Sequence, residues 1–179
     1  MIARTQLFMT IVMCLLAASL TVSSARGADA PVGYPKAAPV FTIDPSGAGL
    51  GANPVEQDGP AHPLHILNAD GSNVPAYTLV TVPVEKSLEA DLEKFIRAMT
   101  VSMKFSDAKY ATDWQTEQTF ETKSETATGM MEKDKMTATI VGFRMKDKNF
   151  FAMAVFGANQ SQVARLELDE LLQTLQEVE

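Results

Sequence analysis

The chain has 179 residues, a formal net charge of −7 at pH 7, two histidines and one cysteine. A single cysteine excludes an internal disulfide framework, and the acidic balance opposes phosphate backbones, so nucleic acid is not an expected partner. The length suits one domain that buries a sufficient core without covalent staples.

Arg4 precedes an apolar run from Leu7 to Val22 in which Cys14 is the one ionisable side chain. That is the layout of a secretory signal. The run is shorter than the roughly 20 apolar residues of a bilayer-spanning helix and is interrupted by Thr10 and Ser19, which favours a cleaved leader over an anchor. Ser23 and Ala25 suit the two pockets of a signal peptidase and leave Arg26 as the mature N-terminus; Ala28 and Ala30 offer a poorer second site because Pro31 follows. Met13 before Cys14 argues against lipid anchoring. Removal of 1–25 takes away Arg4 and Cys14, moves the net charge from −7 to −8 and leaves no thiol. The expectation is an exported protein, periplasmic or extracellular, with a signal peptide over 1–25 and no integral membrane span after processing.

Residues 31–75 hold eight of the nine prolines and six of the ten glycines, a density at which long regular elements do not persist. Residues 26–63 therefore read as an extended Pro/Gly-rich arm that adds an edge strand, and 64–179 as an α+β domain. Val40 to Ile43 and Leu64 to Leu67 are short apolar runs suited to edge strands, Gly47 to Gly59 is an irregular loop, and Asp70-Gly71-Ser72-Asn73 signals a reversal. Tyr77 to Val84 is rich in β-branched residues and contains Pro83, which suits a strand end.

Ser87 offers an N-cap, with Glu89 and Asp91 in the first turn where the helix dipole favours negative charge. Leu88, Leu92, Phe95, Ile96, Met99 and Met103 recur at spacings of three and four, predicting one amphipathic helix over 87–104. Trp114 to Thr122 alternates as a strand with one wet face. Thr126 to Met131, Met136 to Met145 and Phe150 to Phe156 complete a meander with charged turns at 132–135 and 146–149. In the Met136 strand the apolar side passes from Met136, Ala138 and Ile140 to Val141, Phe143 and Met145, and Gly142 marks a bulge that switches the faces. Phe150 to Phe156 is apolar on both sides and should be central. A final helix from Ser161, capped by that residue, presents Leu168, Leu171, Leu172 and Leu175. The expected architecture is a twisted antiparallel sheet flanked by helices, an α/β/α sandwich.

This order of elements, with Phe41-Thr42-Ile43-Asp44-Pro45 as an opening strand, Thr128-Gly129-Met130 entering the meander, Asn149 to Gly157 as inner strand and Leu168-Asp169-Glu170-Leu171-Leu172 in the closing helix, resembles the PsbP-like family over about 40–178. That family comprises the photosystem II extrinsic protein and its exported bacterial relatives. The resemblance implies a non-enzymatic binding or assembly module whose partner is a protein or other envelope component. It carries no catalytic residues and no cofactor to this chain.

The residues themselves offer few sites for chemistry. His62 and His65, three apart and near Asp58, are the metal candidates and the only ones on which a small hydrolase or metal-handling protein could be built. Structural metal sites use four ligands and catalytic ones three plus water, so loop histidines without metal are the simpler reading. Met130, Met131, Met136, Met145 and Met153 could serve Cu(I) as thioethers, but also fill cores. No Gly-x-Ser-x-Gly elbow is present, and paired carboxylates such as Asp113 with Glu117 or Asp169 with Glu170 lie in runs that read as solvated faces. Lys133, Lys135, Arg144, Lys146 and Lys148 gather at the meander turns as a basic end, of which Arg144, Lys146 and Lys148 are the candidate partner-binding residues; charged turns that keep strand ends soluble explain the same pattern. Asn159-Gln160-Ser161 matches a glycosylation sequon.

Overall fold

A computed structural model describes residues 31–46, 50, 54–58, 61–67, 75–82, 84–112 and 118–179. In chain order its elements are β1 (Val32–Tyr34), β2 (Phe41–Ile43), β3 (Val55–Glu56), β4 (Leu64–Leu67), β5 (Pro75–Val82), α1 (Leu88–Ser102), β6 (Ser106–Ala111), β7 (Thr122–Met131), β8 (Asp134–Met145), β9 (Lys148–Gly157), a 3-10 turn (Ala158–Gln160), α2 (Ser161–Gln173) and β10 (Gln176–Glu177). Seven strands form one antiparallel sheet in the order β3-β4-β5-β9-β8-β7-β6, and β1, β2 and β10 form a second, smaller one. The protein is α+β, with its main sheet flanked by helices.

β9 is the fourth of the seven strands, as its two apolar faces require. Phe150, Ala152 and Ala154 point toward Leu168, Leu171 and Leu172 of α2 and toward Tyr34, Phe41 and Ile43 of the small sheet. Phe151 and Met153 point the other way, into the stripe of α1 formed by Leu88, Leu92, Phe95, Ile96 and Met99. Aromatic rings join these layers: Phe41 meets Phe150 edge-on at 4.9 Å, and Phe95 meets Phe151 at 4.8 Å.

α1 begins at Ser87, whose Oγ accepts from the Ala90 N–H at 3.2 Å. It ends in a Schellman turn: Phe105 N–H donates to Thr100 O, Lys104 N–H to Val101 O, and Lys104 takes the left-handed conformation at φ 57°. The structure places that turn directly before β6.

Several local expectations change. The run at 40–43 supplies β2, the middle strand of the small sheet, and β4 has neighbours on both sides, so neither is an edge. The pairing through Lys123, Gly142 and Phe151 is continuous, so there is no bulge at Gly142. No switch of faces is needed because both sides of β8 are covered: Ala138 and Ile140 lie under α1, Val141, Phe143 and Met145 under α2 and the small sheet. Residues 118–121 are not strand, while 113–117 lie outside the described residues. The strand before β7 is instead β6, whose register against β7 shifts between Ser106 and Lys109, with Asp107 at φ 52°. The N-cap of α2 is Gln160 rather than Ser161. The reversal at 70–73 and most of the 47–59 loop lie outside the described residues. No helix among the described residues is long and apolar enough to cross a membrane.

Candidate functional site: a charged cleft between α1 and β6–β7

The burial of its apolar stripe decides which side of α1 remains wet. Glu89, Glu93 and Arg97 follow one another at intervals of four, so they share one face of the helix. That face overlooks the outer strands β6 and β7. Between them lies a cleft of about 620 Å³ lined by α1 residues including Leu92, by Tyr110 to Thr112 and by Thr122 to Glu125.

Strand register sets what reaches the cleft from below. Glu125 pairs with Ile140, Lys123 with Gly142, and Tyr110 with Ala127, so all three share the sheet face covered by α1. Arg97 lies over the Tyr110 ring at 4.3 Å and is held by Glu93, which accepts from Nε at 3.1 Å and Nη2 at 2.9 Å. The Tyr110 hydroxyl shares a 2.8 Å hydrogen bond with Thr100 Oγ1. Ring and guanidinium thereby stack along one wall.

Glu125 is the buried charge of the cleft, 7 % exposed. Burial pushes its pKa up, Arg97 opposes that shift, and Glu93 adds to it. The cleft in total carries three carboxylates, Glu89, Glu93 and Glu125, against two cations, Arg97 and Lys123.

Both histidines make contacts within the fold. His65 is buried on β4 with Nδ1 3.0 Å from Thr78 Oγ1, and burial lowers its pKa. His62 sits at φ 44°, its Nδ1 3.3 Å from Glu56 Oε1, while its carbonyl accepts from the buried Tyr34 hydroxyl at 2.5 Å. Among the described residues no three His, Cys, Asp or Glu side chains converge as a metal ion would need. Met145 and Met153 belong to opposite cores and cannot share an ion.

The basic turns are also separated. Lys133 and Lys135 flank the start of β8, whereas Arg144, Lys146 and Lys148 flank its end, twelve residues of extended strand away. Arg144 Nε donates to Asn149 Oδ1 at 3.0 Å, and its Nη1 lies 3.8 Å from Glu121. Asn149 in turn donates to the buried Asp91 at 2.9 Å, which also accepts from the Glu85 and Lys86 N–H groups. Lys146 donates to the Val178 carbonyl and lies 4.0 Å from Glu177. Lys148 is exposed.

The chain matches no family model, and no curated protein matches it. Among solved structures it is similar to LpqN, described as involved in cell envelope biogenesis of Mycobacterium tuberculosis, with 11% identity, a TM-score of 0.46, and coverage of 84% of this chain and 90% of that one. A likeness of that degree assigns neither family nor activity.

None of the residues that line the cleft stands out as a site in the sequence. Glu89 reads as a first-turn acid and Glu93 with Arg97 as an ordinary surface pair. Glu125 has one usable signal: it alternates with Ala127 on the covered side of a strand, provided that strand is begun at Thr122 rather than Thr126.

Proposed function

We propose that this chain is an exported binding or assembly module of PsbP-like type, released by cleavage after Ala25, and that the cleft between α1 and β6–β7 is where it holds its ligand. The leader-like first segment and the strand, helix, meander and closing-helix order support the general reading, and fold analogy alone goes no further. The observation that carries the site is the cleft itself. Its volume of about 620 Å³ falls in the range of ligand recesses. Its lining supplies the Tyr110 ring, the Arg97 guanidinium stacked on it and the Glu125 carboxylate, which are means of holding and orienting a ligand.

Lys123 is exposed on the α1-covered face of β7 and lines the cleft, so Lys123→Trp fills the recess without entering either core. Native mass spectrometry of the protein taken gently from its source should show a bound molecule in the wild type and none in Lys123→Trp at equal folding. An adduct retained by the filled variant would place the ligand elsewhere.

A further inference from the structure

Glu125 is a nearly buried carboxylate for which the protein supplies no hydrogen bond. It is 7 % exposed, lines the floor of the cleft, and among the described residues its only interactions are through-space ones with Arg97 and Glu93. Arg97 does not supply the missing donor, because its Nε and Nη2 are directed to Glu93 and its plane lies on Tyr110. The Glu125 oxygens open into the recess without a protein donor among the described residues, so the ammonium or hydroxyl of a ligand there can reach them. The sign of that donor follows from the surrounding charge. With the Glu93–Arg97 pair set aside, Glu89 and Glu125 face the single cation Lys123, so the cleft keeps one net negative charge and favours a cation over an anion.

We propose that the cleft binds a small aliphatic amine through its ammonium group, which donates to the Glu125 carboxylate while the carbon chain lies against Leu92 and Tyr110. The inference rests on the reading of the cleft as the ligand site and adds the chemistry of the ligand. An ammonium fits because it brings three donors and a full positive charge on a narrow stem. The titratable and charged groups that share the cleft with Glu125 are Glu89, Glu93 and Arg97 on α1, Tyr110 on β6 and Lys123 on β7, of which Arg97 and Glu93 act on its charge, while β8 presents Ile140. Binding requires ionised Glu125, so it should strengthen as pH rises through that residue's raised pKa.

The test is an NMR amide titration of the folded chain with 1,4-diaminobutane at about pH 7, beside n-butanol and butyrate, in the wild type and in Glu125→Gln. The expected result is saturable shifts at 89–97 and 122–125 with the amine alone, and affinity reduced about tenfold to a hundredfold in the variant, the loss of one charge-assisted hydrogen bond. Glu125→Gln should remain folded and at neutral pH be no less stable, since it removes a buried charge, so its loss of binding cannot be ascribed to unfolding. Equal affinity in both proteins, or no amine-induced shift at the cleft, would overturn the proposal. Butyrate binding at the cleft would overturn the ammonium while leaving the ligand site standing. A cleft that takes no probe would also overturn it, and the native adduct in Lys123→Trp then decides the broader reading independently.

Discussion

Glycine at position 142 answers to the ring that faces it. A Cβ there would lie 3.0 Å from Phe151 Cε1, 3.1 Å from Cδ1 and 3.3 Å from Leu88 Cδ1, all closer than carbon atoms comfortably approach. Phe151 is fully buried and packed on Phe95, so the ring has nowhere to retreat. Gly142→Ala is expected to destabilise the protein by about 1–3 kcal/mol, the range for overpacking a core, as read from urea unfolding; a neutral result would show that the α1 layer gives way easily. His65 makes a second prediction at this scale. Its folded pKa lies below the ordinary 6.5 because burial disfavours the imidazolium. As pH falls through that value the unfolded chain takes up a proton that the folded one refuses, so stability present above about 6.5 is lost below it. His65→Gln should flatten the fall in unfolding free energy between neutral and mildly acid pH, and an unchanged slope would assign the acid sensitivity elsewhere.

Periodicity made the elements with one dominant pattern legible. The α1 stripe, its Ser87 cap, the meander and the two-faced β9 follow from spacing because packing there agrees with local pattern. β6 was not legible: Ser106 to Ala111 is mostly exposed, buries no residue fully and contains Asp107 at positive φ, so it is a strand only because β7 offers an edge to pair with. Gly142 misled for a related reason, since alternation on a strand covered on both sides resembles a change of face. Lys104, which turns the chain from α1 into β6, sits at φ 57° where a side chain is disfavoured. Lys104→Gly should therefore raise stability by about 0.5–1 kcal/mol while leaving the amide spectrum of α1 in place. A loss of stability would mean that the lysine side chain contributes more than its backbone strain removes.

Across the whole molecule, one sheet separates two cores of different character. The α2 side is closed by the small sheet, where β10 pairs with β2 and Tyr34, Phe41 and Ile43 are buried. The α1 side is closed over β5, β9 and β8 but leaves the outer strands β6 and β7 beneath a charged helix face, and the cleft is the result. Its site was hidden from the sequence because it joins a helix face, an unrecognised edge strand and the first turns of β7, three segments that only the register brings together. Of the partner-binding candidates that the sequence offered, Arg144 and Lys146 also tie the β8–β9 turn to the Asp91 loop and to the C-terminal segment, while Lys148 is exposed. The most direct measurement sets the two surfaces against each other. A photoreactive benzoylphenylalanine would be placed at Lys123, on the cleft, or at Lys148, on the exposed turn, in the protein expressed in its native cells, and adducts of any size read by intact mass. The cleft as ligand site predicts a defined adduct from position 123 and none from 148; a defined adduct from 148 alone would contradict it.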